Sequence, residues 1–171
     1  MTVSGNRNEN PKGLGPEITN LASLATAIGT SNLAMQLAAT ESIRKLLSQP
    51  NNPPVPQIIA AGVIPRLVEF IRPAGDDSRS YNLDDDTAAD QRRKLQFEAA
   101  WALTNIASSE HTATIVEANA VPPLVALLST RLVDGDGGAG GGNSGTRADL
   151  VEQAVWCLGN VAGDGAELRD A

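Results

Sequence analysis

The chain has 171 residues, enough for one modest domain or a run of small units. It is 42% hydrophobic but only 3% aromatic, so Ala, Leu, Val and Ile do the packing, which suits close-packed helices. A net charge of −7 argues against a nucleic-acid or anionic-membrane partner and permits a basic one. The single cysteine, Cys157, excludes an intramolecular disulfide and fits a reducing compartment. No uncharged apolar run approaches the ~18 residues of a membrane span.

In chain order, residues 1–16 (MTVSGNRNENPKGLGP) lack the apolar core of a secretory signal and are expected to form a disordered tail. The repeat-bearing region runs over 17–171. Its first patterned stretch is QLAATESIRKLLS (36–48), which aligns without gaps with QFEAAWALTNIAS (96–108) and VEQAVWCLGNVAG (151–163). The alignment puts Ala39, Ala99 and Ala154 together, then Ile43, Leu103 and Leu158, then Leu46, Ile106 and Val161. These positions are i, i+4 and i+7, one face of a helix. A second element recurs as GVIPRLVEFI (62–71) and NAVPPLVALL (119–128), with Pro65 and Pro122 near each start, where a first helical turn tolerates proline. A short apolar-bearing piece precedes each, PQIIAAG (56–62) and TATIVEAN (112–119), with turns at Gly62 and Asn119.

The unit is a short helix, a proline-started helix and a longer helix. Three helices per unit predict an all-α, right-handed armadillo-repeat solenoid of roughly two and a half to three repeats. The offsets of 57 from Pro65 to Pro122 and 55 from Trp101 to Trp156 exceed the usual period of roughly 40–47 residues. Two polar segments supply the excess, 72–90 and the Gly-rich 131–146, and both are expected as flexible insert loops. After the third unit begins, its last helix is expected to expose Val155 and Val161.

Both tryptophans stand four residues before an asparagine: Trp101 with Asn105, and Trp156 with Asn160. At about 100° per residue, Trp101 points away from Leu103, so the pair lies off the stripe of Leu95, Ala99, Leu103 and Ile106. Trp156 and Asn160 relate in the same way to Ala154, Leu158 and Val161. A lone tryptophan in an Ala-rich helix is ordinarily core, but two pairs at one register form a ladder on one surface of a stacked solenoid. The first unit has Glu41 and Lys45 at those positions. An asparagine amide can hold both N–H and C=O of a passing backbone, and indole walls suit a Lys or Arg stem. Asp164, four residues after Asn160, is placed to select a basic side chain.

On these residues the chain resembles the importin-α (karyopherin-α) family. The stretches WALTNIAS (101–108) and VEQAVWCLGNVAGDG (151–165) carry the likeness most strongly, with support from QLAATESIRKLLS, IIAAGVIPRLVEFI and SEHT (109–112). The resemblance covers roughly 20–72, 91–130 and 147–171. It implies a nuclear import adaptor that shuttles between cytoplasm and nucleus. Such an adaptor binds basic nuclear localisation signal peptides in an extended conformation, with no nucleic acid, membrane, metal or cofactor. It further implies that Trp101, Asn105, Trp156 and Asn160 are the peptide-binding ladder. Asp164 then pairs with a signal lysine, Thr112 lies near the same pocket and Gln153 lines it. The family's Gly-Thr before SEHT is missing, and Cys157 replaces an alanine. The family opens with a basic segment that binds importin-β, whereas the first 20 residues hold only Arg7 and Lys12, so that segment is expected to be absent. The family runs to about ten repeats and this chain stops in the third, which implies a fragment, a truncated chain or a short paralogue.

Other chemistries find no constellation. His111 is the only histidine and shares no segment with a partner, the Gly-rich 131–146 lacks the ending of a phosphate loop, and Asp84–Asp86 lack the rest of a calcium loop. No enzyme activity is expected. A general armadillo scaffold in adhesion or ubiquitin signalling, or a non-functional fragment, is the alternative to the import adaptor.

Overall fold

The computed structural model describes residues 21–73, 86–129 and 147–165. The expected tail 1–16 and insert 131–146 lie outside the described residues, as does most of the insert 72–90. Among the described residues the regular elements are helices only: α1 (Leu21–Ile28), α2 (Leu33–Leu47), α3 (Val55–Ala60), α4 (Ile64–Ile71), α5 (Asp86–Ala107), α6 (Ala113–Glu117), α7 (Val121–Ser129) and α8 (Arg147–Gly163).

Local chemistry sets the boundaries. Asn32 caps α2 from extended backbone, its side-chain oxygen accepting the Met35 N–H at 3.0 Å. Arg44 and Lys45 fall in the last turn of α2, where cations complement the helix dipole. Prolines stand in the first turns of α3 and α4. The short helices α3 and α6 both stop at a residue in the left-handed region, Gly62 at φ 70° and Asn119 at φ 56°. At the second, the Ala120 N–H reaches back to the Ile115 carbonyl and the Asn119 N–H to that of Val116, the paired bonds of a Schellman closure. The same turn therefore recurs where the repeat places it.

The insert 72–90 needs one correction. Residues 86–90 already belong to α5, so the helix starts earlier than the apolar periodicity indicated. The run DTAAD has no apolar stripe to betray a helix. Ala88 and Ala89, strong helix formers, favour it instead.

The helices pair within each unit: α1 on α2, α4 on α5, α7 on α8. The long helices then stack in succession, α2 against α5 and α5 against α8, while α4 meets α7 behind them. The core runs continuously through all units and includes Ile28, Ile43, Leu67, Leu103, Leu124 and Ala154. The stripe expected on α5 is buried throughout: Leu95, Ala99, Leu103 and Ile106. Val161 is also buried, at 5% exposure, contrary to the expected exposure, because it continues the stripe of Ala154. Val155 is 55% exposed, as expected. Equivalent glutamines tie the layers. Gln36 donates to the Thr30 carbonyl, and Gln96 to the carbonyls of Ile71 and Arg72 at the end of α4.

Cys157 sits wholly inside this packing, and burial pushes its thiol up to about 12. It holds no thiolate near neutral pH and cannot act as a nucleophile.

Two outcomes follow from this packing. Nothing lies within 4 Å of a Cβ built on Gly62, so Gly62→Ala costs only left-handed backbone strain, about 1 kcal/mol. Asn119→Gly, at the equivalent turn, shifts stability by no more than about half a kcal/mol. Urea unfolding of the two variants checks the contrast, and equal costs would contradict it. Cys157 in the native chain is expected to resist a thiol reagent at pH 8 and to react once the chain is unfolded in urea. Fast labelling of native protein would contradict the buried placement.

Candidate functional site: the ladder on the long helices

From Phe97 to Ala107 every residue of α5 is buried except Trp101 and Asn105. The helix is enclosed by α2, α4, α6 and α8, and this one stripe is left to solvent. On α8 the matching residues are open in the same way: Trp156 is 61% exposed and Asn160 is half-buried. Because α5 and α8 stack side by side, the two Trp–Asn pairs occupy adjacent rungs of one surface.

The rungs differ in what already occupies them. Trp101 is held on two sides. The Arg44 guanidinium from α2 lies over its ring, 4.5 Å from the centroid, and Phe97 meets it edge-on at 5.7 Å and 61°. Arg44 is fixed in turn by Glu98, through Nε to Oε2 at 2.7 Å and Nη2 to Oε1 at 3.3 Å. Glu98 is 3% exposed, so this two-pronged bond satisfies a charge that would otherwise be costly to bury. Asn105 donates one N–H to the Ser48 hydroxyl at 2.9 Å, which leaves its second N–H and its carbonyl oxygen for a ligand.

At the next rung the repeat puts other residues in the same places. Thr104 stands where α2 has Arg44, and Gln153 where α5 has Glu98. The Thr104 hydroxyl shares its one proton between the carbonyls of Ala100 at 2.9 Å and Gln153 at 3.1 Å, and the neutral Gln153 side chain calls for no cation there. Gln153 is buried and its Oε1 has no partner among the described residues. A buried acceptor without a donor is rare, and this one, like Nε of Arg147 on the same helix, is closed off from solvent. Among the described residues, neither the Trp156 ring nor the Asn160 amide has a partner.

Asp164 follows α8, exposed, with its backbone N–H on the Asn160 carbonyl at 3.1 Å. Thr112 is placed differently from the others. It is 1% exposed and its hydroxyl shares its one proton between the carbonyls of Ala107 and Ser109, so it closes the turn after α5 and offers no free hydroxyl to a ligand. Of the seven residues singled out in the sequence, the two Trp–Asn pairs share one exposed surface. Gln153 and Thr112 are buried, and Asp164 lies one turn beyond Asn160. The sequence reading missed Arg44, Glu98 and Ser48. Glu98, a lone carboxylate in the apolar run FEAAW, was the available signal, since such a group needs a cation beside it.

Charge is divided along the surface. Glu41 stands at the tryptophan position of the first unit and takes the Lys94 ammonium at 2.6 Å and that of Lys45 at 3.8 Å. That carboxylate raises the Lys94 pKa above its ordinary value. The α8 end carries Asp149, Glu152 and Asp164 against Arg147. Among the described residues there is no cluster of three metal-ligating side chains and no helix long and apolar enough to cross a membrane.

No family model matches the chain. Curated relatives do. Importin subunit alpha-1b of Oryza sativa subsp. japonica is 38% identical over 156 residues, covering 90% of this chain and 23% of that protein. Importin subunit alpha-6 of Arabidopsis thaliana is 39% identical over 155 residues, with the same coverage. Importin subunit alpha of Saccharomyces cerevisiae is 40% identical over 116 residues, covering 67% of this chain and 18% of that one. The chain thus spans about a quarter or less of the length of these relatives. Among solved structures, a designed armadillo repeat protein in complex with the peptide (KR)4 superposes with a TM-score of 0.62 at 24% identity, covering 89% of this chain and 51% of that one. An engineered protein from a structural-genomics programme also gives 0.62, at 23% identity, over 88% of this chain and 49% of its own. The fold is an armadillo-type α-solenoid, and over 90% of its length the chain is similar in sequence to part of importin-α subunits.

Proposed function

We propose that the chain is the signal-reading part of a nuclear import adaptor. It takes extended, basic peptides of the nuclear-localisation type on the rungs Trp101–Asn105 and Trp156–Asn160, in a protein that shuttles between cytoplasm and nucleus. One observation carries the reading: between Phe97 and Ala107 the helix opens to solvent only at an indole and an amide, and the next stacked helix repeats the pair.

The chemistry fits such a peptide. Each free amide edge can take one N–H and one C=O of a backbone, whatever the side chains. Packed helices lie about 8–10 Å apart and an extended strand rises about 3.3 Å per residue, so successive rungs meet positions two or three residues apart. Between two indoles a Lys or Arg stem is covered while its charge stays wet. The acidic α8 end, with Asp149, Glu152 and Asp164, favours a cation there over an anion. The importin-α relatives and the solenoid fold support the transport role, and the designed neighbour's bound (KR)4 peptide is an instance of a basic peptide on such a fold. The cargoes and any importin-β contact belong to the whole protein, and we assign neither to a described residue.

Calorimetry with one Lys-rich peptide tests the reading. Each lost hydrogen bond is worth about 0.5–1.5 kcal/mol, so Asn105→Ala/Asn160→Ala is expected to weaken binding about ten- to a hundredfold. Asp164→Asn removes a charge partner from an exposed site. Its smaller effect is expected to fade as salt is raised. Binding that none of these changes weakens would put the peptide elsewhere.

A further inference from the structure

The two rungs are built from the same repeat positions yet one is occupied and the other open. At the first, a guanidinium already lies on the indole: Arg44 over Trp101, locked by Glu98. At the second, Thr104 and Gln153 replace that pair and Trp156 is 61% exposed. We propose that Arg44 is a resident cation that closes the α2-facing side of Trp101, so that it positions the indole and sets where a basic peptide stops on the ladder. The proposal rests on the ladder reading given above and adds to it which slots the ladder offers.

First, a cation over an indole face competes directly with a peptide Lys or Arg for that face, and the resident one has no association entropy to lose. Second, Arg44 cannot easily leave. Its side chain is 16% exposed, and departure would strand Glu98, 4% exposed, as an unpaired buried carboxylate. Third, the clamp is planar. The two-pronged bond to Glu98 fixes the plane of the guanidinium, and that plane with the Phe97 edge fixes the ring. A basic side chain is therefore left the space between Trp101 and Trp156, and none beyond Trp101. The next position toward α2 meets Lys45 and Lys94 around the single carboxylate of Glu41, which does not invite another cation.

Two variants remove the cation without stranding a charge. Arg44→Ala/Glu98→Gln opens the ring face. Arg44→Gln/Glu98→Gln also uncovers the ring, since glutamine is shorter than the arginine it replaces, and lets two amides bond each other, so a folded chain is available if the first variant does not fold. Each is compared with the wild type against a Lys-rich peptide in which every position is changed in turn to Ala. The expected result is one additional lysine-sensitive position at one end of the peptide, worth about fivefold in Kd. An unchanged set of sensitive positions in a folded variant would overturn the proposal. A second readout needs no peptide. In a Trp156→Phe background the remaining indole is Trp101, and its quenching by acrylamide is expected to rise when Arg44→Ala/Glu98→Gln is added. Unchanged quenching would show that Arg44 does not cover the ring. If the wild type binds no basic peptide, the ladder reading fails and the register-setting role fails with it, whereas the quenching still decides the contact itself.

Discussion

Between Phe97 and Ala107, helix α5 is enclosed on every side but one. Neighbours in the stack bury it before and behind, α4 lies beneath it, and what remains is a stripe one side chain wide. The small residues Ala99, Ala100, Ala102 and Ala107 make this possible, because they let four helices approach a single one closely. A solenoid that stacks its long helices in this way has little freedom over what it shows on that surface. Whatever stands at the two outward positions of each long helix becomes a ladder. The rest of the site depends on that constraint, since neither indole needs to be aimed by a loop.

The same constraint explains why the rungs can differ. Each interface between long helices has its own pair of residues facing across it: Arg44 and Glu98 between α2 and α5, Thr104 and the Gln153 backbone between α5 and α8. The first pair is ionic and reaches out to the ladder. The second is neutral, shorter and stays inside. One interface therefore ends in a covered indole and the other in a bare one. Repetition sets the spacing of the ladder, and the departures from repetition set which of its slots are open.

Much of this was legible in the sequence because it is local. The proline-started helices, the turns at Gly62 and Asn119, the core stripe on α5 and the outward Trp–Asn pairs all follow from periodicity and turn chemistry within a few residues. The importin-α likeness, carried by WALTNIAS and VEQAVWCLGNVAGDG, agrees with the relatives. What was not legible is non-local or lacks a period. Arg44 and Glu98 are 54 residues apart and occupy non-equivalent repeat positions, so no alignment of repeats pairs them. Thr112 looks like an available hydroxyl in sequence, and only the course of the chain after α5 turns it inward. The start of α5 at Asp86 has no apolar face to mark it in the sequence.

The central claim is that one surface, formed by two stacked helices, receives a basic extended chain. Side-chain NMR observes it directly, since the chain has two indole N–H groups, and the amides of Asn105 and Asn160 can be assigned by substitution. Titration with a Lys- and Arg-rich peptide is predicted to shift both indoles and both amides together, saturating with one affinity, while a scrambled acidic peptide leaves them in place. Shifts confined to other residues, or equal shifts with the acidic peptide, would contradict the account.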